Sequence, residues 1–196
     1  GIDKILWSFN GLDWYETTSY DGSSEANHSF APSEFGLEEG IIYNFHFKAI
    51  DMLGHESEEH TQKFIIDDTS PFTTKEFTGK YVEGEIEGVN VTFVGRNTII
   101  WLNATDEISG VDTIYWRIVN ETMDEIFFAT NPDDEAKDFL YPIHMADSID
   151  LLGLKDNRYD FFHWAIDRVG NEEQSHHKQW IIIDISPPEQ TIEPII

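Results

Sequence analysis

The sequence contains no cysteine. That excludes disulfides, thiolate zinc ligands and thiol nucleophiles. Secreted eukaryotic sandwich domains more often carry a disulfide, so the absence favours a prokaryotic source. Basic residues are scarce, with 12 Lys and Arg against 38 Asp and Glu and a formal net charge of −26. A chain this acidic is repelled by nucleic acid and by anionic membrane surfaces, and it attracts cations. No apolar run approaches the length of a membrane span, so no direct insertion is expected, and no signal peptide is read. Catalytic motifs are missing as well. There is no nucleophile elbow, phosphate-binding loop or dinucleotide fingerprint. The histidines of His55-Glu-Ser-Glu-Glu-His60 are spaced one residue too far apart for a zincin helix. With 38 acidic residues, carboxylate pairs arise everywhere by chance, and none marks a glycosidase. The chain is not expected to be an enzyme.

What the sequence does contain is an internal repeat. Gly1-Ile2-Asp3 leading to Trp7 returns as Gly110-Val111-Asp112 leading to Trp116. Tyr43 through Ala49-Ile50-Asp51 returns as Tyr159 through Ala165-Ile166-Asp167, and Phe64 to Asp67 returns as Ile181 to Asp184. The order is kept at a nearly constant offset of about a hundred residues, the size of a β-sandwich domain. Gly1 aligns with Gly110, so the first copy has no counterpart to residues 69–109. Ile185-Ser186-Pro187 resembles Thr69-Ser70-Pro71. The chain is therefore read as a piece of a longer repeat protein. Its parts are an N-terminally incomplete sandwich over 1–68, a sandwich over 69–185, and the start of a following repeat or linker over 186–196.

Alternation with period two, β-branched and aromatic residues, and short Gly, Asp and Asn breaks predict strands almost throughout. In the first repeat they fall near 2–9, 13–19, 27–31, 41–50 and 60–67. In the second they fall near 75–82, 88–94, 98–104, 111–119, 125–129, 142–146, 158–166 and 176–184. A helical turn or two is expected at 133–140. Trp7 and Trp116 sit mid-strand, and Tyr43 and Tyr159 are placed to form tyrosine corners. The pattern predicts an all-β chain of two tandem immunoglobulin-like β-sandwiches, the first lacking its first strands. Those missing strands would leave an open edge for another copy or a neighbouring segment to cover.

Three segments carry a family resemblance. Ala-Thr-Asp-x-x-Ser-Gly-Val-Asp-x-Ile-x-Trp at 104–116, Tyr-x-Phe-x-x-x-Ala-x-Asp-x-x-Gly-Asn-Glu at 159–172, and Ile-Asp-x-Ser-Pro-Pro at 183–188 resemble the immunoglobulin-like repeats of archaeal and bacterial cell-surface proteins. Fibronectin type III-like modules are close in style. The first repeat departs at His55, where the pattern has Asn. The resemblance implies extracellular display at the cell surface, as surface-layer (S-layer) subunits, adhesins, stalks or spacers. It also implies neighbouring repeats or copies of the same surface protein as partners.

Three groups of residues are candidate sites. Asp67, Asp68, Asp106, Glu107, Asp112 and Asp167 lie on loops and a linker expected to meet at one end of the second sandwich. Calcium suits such a set, because it takes six to eight oxygen ligands in irregular geometry. The alternative is that these residues only cap their own turns. Asn27, Asn90, Asn103 and Asn120 lie in glycosylation acceptor sequences, more than the about one expected by chance. Unmodified surface Asn is the alternative. Tyr115, Arg117, Phe162 and Trp164 would face outward together, for a protein contact or for glycans. The alternative for this patch is that the 120–157 excursion covers it. The function expected of the chain is that of a structural or adhesive module. The alternative function is an accessory carbohydrate-binding module of a secreted hydrolase, with Tyr115, Phe162 and Trp164 as its platform.

Overall fold

A computed structural model describes residues 1–17, 22–120, 128–130 and 138–188. The chain is all-β, and it divides into two units, Gly1–Asp68 and Thr69–Ile196. No helix among the described residues is long and apolar enough to cross a membrane.

The first unit holds β1 (Ile2–Ser8), β2 (Tyr15–Glu16), β3 (Ile42–Asp51) and β4 (His60–Ile65), in the antiparallel order β2-β1-β3-β4. The second holds β5 (Phe72–Ile86), β6 (Val89–Thr105), β7 (Val111–Val119), β8 (Phe128–Thr130), β9 (Asp138–His144), α1 (Met145–Leu152), β10 (Asn157–Asp167) and β11 (His177–Ile183). Its run β8-β7-β10-β11 reproduces the order of the first unit. The register is reproduced too. Trp7 pairs with Phe47 and Tyr15, and Trp116 pairs with His163 and Phe128. Each Trp stacks on its edge-strand ring, at 4.5 Å on Tyr15 and 4.3 Å on Phe128.

The second unit has a further layer, with no counterpart among the described residues of the first. β5 and β6 form a long hairpin that bends in the middle. Beyond the bend, residues 99–105 of β6 pair with β9, while Val91–Val94 pair in parallel with Trp180–Ile183 of β11. The bend is built at Gly79, where φ is 81° and a Cβ would come within 2.1 Å of the Asn97 carbonyl oxygen. Only glycine tolerates that approach. The Thr98 hydroxyl ties the two sides by donating to the Lys80 carbonyl and accepting from the Gly95 N–H. One strand thereby serves both layers. Ile100, Leu102 and Ala104 of β6 and Ile143 of β9 share a buried core with Trp116, Ile118, Tyr159, Phe161, Ile181 and Ile183 of the other layer.

Both tyrosine corners form. The Tyr43 hydroxyl accepts the Glu38 N–H at 2.7 Å. The Tyr159 hydroxyl accepts the Lys155 N–H at 3.1 Å and donates to the same residue's carbonyl at 3.2 Å.

The structure corrects several sequence expectations. Residues 27–31 form no strand; they lead into a 3-10 turn over Pro32–Phe35. Of the strand expected at 13–19, the described part forms Tyr15–Glu16, and residues 18–19 lie outside the described residues. The helical reading of 133–140 falls partly outside the described residues, and Asp138 to Leu140 begin β9. The helix lies instead at Met145–Leu152, where residues 145–146 had been expected to be strand. Met145 and Ile149, one turn apart, are its buried apolar residues, and Gly153 in the left-handed conformation ends it.

The core position of β6 sets a stability expectation. Leu102→Ala should destabilise the second unit by about 2–5 kcal/mol, the usual cost of a large-to-small core change. Leu140→Ala, on the exposed side of β9, should stay within about 0.5 kcal/mol. Urea unfolding of both variants checks the contrast.

Candidate functional site

Asp106 follows β6 and Asp167 ends β10, and both are buried. The Asp106 Oδ1 accepts the N–H groups of Ile108 at 3.2 Å and Gly110 at 2.6 Å. The Asp167 Oδ1 accepts those of Val169, Gly170 and Asn171 at 2.7–3.0 Å, and its Oδ2 accepts the Asn171 side-chain amide at 2.8 Å. Each carboxylate thus shapes its own loop, as short acidic side chains do at turns. Fold topology then brings the two together, with carboxylate oxygens within 4.8 Å of one another. Two buried carboxylates this close repel when both are ionised, and a divalent cation would relieve that.

The other acidic candidates are placed differently. Glu107 and Asp112 are exposed, and the Asp112 carboxylate accepts the Thr113 hydroxyl at 2.8 Å. In the first unit Asp67 is buried, while Asp68 is exposed and donates its N–H to Glu39 at 3.2 Å. Asp51, the counterpart of Asp167, builds the same loop. Its Oδ1 accepts the N–H groups of Leu53 and His55, and its Oδ2 meets the His55 ring at 3.0 Å. The His55 backbone N–H is the main reason its carboxyl lies below the usual range. His55 therefore takes the structural part of Asn171, which explains how the repeat tolerates His where its pattern has Asn.

Asn27 and Asn90 are exposed. Asn103 is half-buried in β6, flanked by β5 and β9, and Asn120 is half-buried at the end of β7.

Tyr115, Arg117, Phe162 and Trp164 do meet on one sheet face, in two cross-strand rows. Trp164 stacks on Tyr115 at 5.3 Å and on His176 at 4.3 Å. Phe162 lies under the Arg117 guanidinium at 4.3 Å and the Lys178 ammonium at 5.4 Å. Trp164 is buried at 6% exposure, and the other three are half-buried. These rings spend their faces on one another, so the patch is a set of packed ladders more than a stacking platform for sugars.

Sequence reading missed a buried polar network. The Glu173 carboxylate accepts the Thr73 N–H at 2.9 Å, the Thr73 hydroxyl at 2.7 Å and the Ala165 N–H at 3.2 Å, and it meets the His177 ring at 2.9 Å. The Thr73 hydroxyl hydrogen goes to Glu173, so its oxygen accepts from His163 Nδ1 at 2.9 Å. The network ties the start of β5 to β10 and β11. The signal for it was a concerted difference between the repeats. Glu173 stands where the first copy has Ser57, whose hydroxyl accepts the Ala49 N–H, and His163 stands where it has Phe47.

Burial, with smaller contributions from Lys75 and His177, pushes the His163 ring down to about 3. The unfolded chain therefore binds this proton near pH 6.5 while the folded chain refuses it. The resulting stability is fully present above pH 6.5 and is lost as the pH falls towards 3. Replacing His163 by Phe, the residue of the first repeat, should flatten the dependence of stability on pH in this window. The change should reach about 1.4 kcal/mol per pH unit, one proton's worth, read from urea unfolding at a series of pH values.

No family model matches this chain, and no curated protein matches it. Among solved structures, it is similar to a Ca2+-stabilized adhesin that helps an Antarctic bacterium reach out and bind ice, at 15% identity and a TM-score of 0.34, over 97% of this chain and 42% of the other. It is similar to the extracellular domain of a hybrid two-component system from B. thetaiotaomicron, at 11% identity and a TM-score of 0.33, over 93% of this chain and 29% of the other. It is also similar to the D00-D0 domain of intimin, at 13% identity and a TM-score of 0.28, over 94% of this chain and 86% of the other. The chain spans less than half the length of the first two of these structures.

Proposed function

We propose that this chain is a non-catalytic structural or adhesive module of an extracellular cell-surface repeat protein, stiffened by calcium and N-glycosylated. The observation that carries the reading is the duplication. Two successive units keep the same strand order, the same Trp-centred register and the same Asp-ended loop. Selection on such a chain acts on a repeated shape, which suits a spacer or display element. The charge of −26 adds solubility and an attraction for cations.

For calcium, Asp106 and Asp167 are the proposed anchoring ligands. The Thr69 carbonyl accepts a hydrogen bond from Asn171 of the Asp167 loop at 3.5 Å. Backbone carbonyls and water would complete the shell. The ion would supply fixed positive charge and no chemistry.

A thermal melt in millimolar calcium, compared with one in excess chelator, tests this. Ligation of the native state adds RT ln(1 + [L]/Kd), so the midpoint should rise by several degrees. The double variant Asp106→Asn, Asp167→Asn should lose that rise. An unchanged wild-type midpoint would leave these residues as loop caps alone.

Glycosylation predicts its own pattern. In protein purified from its natural source, site-resolved mass spectrometry should find glycans at Asn27 and Asn90. Asn103 should be bare, because β5 and β9 flank it on both sides.

A further inference from the structure

In the second unit the β6–β11 pair is short. Val91–Val94 of β6 run parallel to Trp180–Ile183 of β11. Ahead of that stretch the two strands pair elsewhere. His177, Lys178 and Gln179 pair with β10, and Val89 and Asn90 pair with Ile86 and Glu85 across the hairpin turn. The sheet is therefore parted between residues 177–179 and 89–90, with a strand edge on each side. Such edges are templates for another extended segment. A cleft of about 710 Å³ occupies the parting, lined by Lys178 and Gln179 of β11, Asn90 and Thr92 of β6, and Glu83 and Lys75 of β5. Its walls are bridged where the Gln179 side-chain amide donates to the Thr92 hydroxyl at 2.7 Å.

Lys75 is the residue that gives the cleft a chemistry. It lies before the bend of β5, opposite the core residue Leu102, and shares that residue's inward sheet face. Lysine at an inward position normally has a partner. This one is half-buried, and among the described residues it has neither a hydrogen bond nor an ion pair. Burial holds its ammonium below the ordinary lysine range, and no neighbouring carboxylate raises it. The lack stands out in a chain with 38 acidic and 12 basic residues. Lys4, Lys48 and Lys178 each hold a carboxylate at 2.7–2.8 Å. An ammonium left unpaired beside a cleft is matched by an anionic group from outside.

The shape of the parting narrows the choice of anion. A strand cannot run through it, because β6 and β11 pair directly from Val91 and Trp180 onward. A strand that ends there can enter, and its terminal carboxylate would meet Lys75. Glu83, exposed at the cleft, and the overall charge of −26 repel acidic side chains further back. The residues before the terminus should therefore be neutral or basic. We propose that the cleft between β11 and the β5–β6 hairpin binds the C-terminus of an extended, non-acidic polypeptide, which pairs its main chain with residues 177–179 and places its carboxylate on Lys75. The inference goes beyond the display reading and does not depend on calcium. A glycan on Asn90 would stand in the same cleft and compete with the peptide.

An NMR titration of the full chain, produced without glycans, tests it. The probe is a pool of hexapeptides randomised over neutral and basic residues, with free C-termini, and the same pool amidated is the comparison. The free pool should shift the amides of Asn90, Lys178 and Gln179. The amidated pool should bind at least about 10-fold more weakly, the usual worth of a charge-assisted hydrogen bond. Lys75→Met keeps the apolar stem and removes the ammonium. It should abolish the difference between the pools, while Lys80→Met should keep it. Urea unfolding of Lys75→Met should show no loss of stability, since an unpaired charge leaves a half-buried site. Equal binding of the two pools by the wild type, or no shift at these amides at millimolar peptide, would overturn the proposal. So would a difference that survives Lys75→Met. Shifts of the same amides by an oligomer of uronic acid, as strong as those by the free pool, would overturn it in favour of an acidic glycan. Shifts that follow protein concentration alone would overturn it in favour of a second copy.

Discussion

A sheet with one apolar face has to bury that face against something, and the second unit depends on how it meets this demand. β6 lies in both layers, pairing with β9 on one side of its bend, with β11 on the other and with β5 on both. The bend rests on a close approach of backbone to backbone at Gly79. With the bend in place, the inward residues of β6 and β9 close over Trp116 and Phe161, and one continuous core results. Burial of each such aliphatic or aromatic side chain contributes about 1.5–3 kcal/mol. The core therefore far outweighs any single surface ion pair, such as exposed Arg96 with Asp150, whose attraction water and salt screen.

The repeats show which features follow from the shared fold and which belong to one copy. Both have the Trp stacked on an edge-strand ring, the tyrosine corner and the Asp-ended loop. The Glu173 network belongs to the second copy alone. It replaces an apolar Phe and a small Ser by a histidine and a glutamate, and it supplies every hydrogen bond that the buried carboxylate needs. A buried charge is tolerable only when satisfied in this way. Thr73 at the start of β5 is the group that makes it possible, and no described residue of the first unit takes its place. The polar network and the added layer therefore arise together.

What was legible in the sequence was what is periodic or repeated. The strand face of Trp116 and the corner of Tyr159 could be read because alternation and the second copy both point to them. The strand at 27–31 was overcalled, and the described part of the one at 13–19 is only two residues long. Short alternating stretches such as Asn27 to Phe30 satisfy the pattern without an available partner edge, and pairing decides whether a strand forms. Helix α1 was missed because Ile143, Met145 and Ile149 fit a strand and a helix equally well over a few residues. The meeting of Asp106 with Asp167, and of Glu173 with Thr73, depends on contacts far apart in sequence. The first was reached through fold topology. The second could have been reached only by asking why two core positions changed together between the copies.

The parallel pairing of β6 with β11 has a consequence for synthesis. The two partners, Val91–Val94 and Trp180–Ile183, lie at opposite ends of the second unit. At about 5–20 residues per second, β6 leaves the ribosome on the order of ten seconds before β11 is made. During that interval the nascent chain holds a finished hairpin whose inward face has no sheet to rest on. Until then Val91–Val94 present an unpaired edge on the side of β6 away from β5, open to any other extended chain.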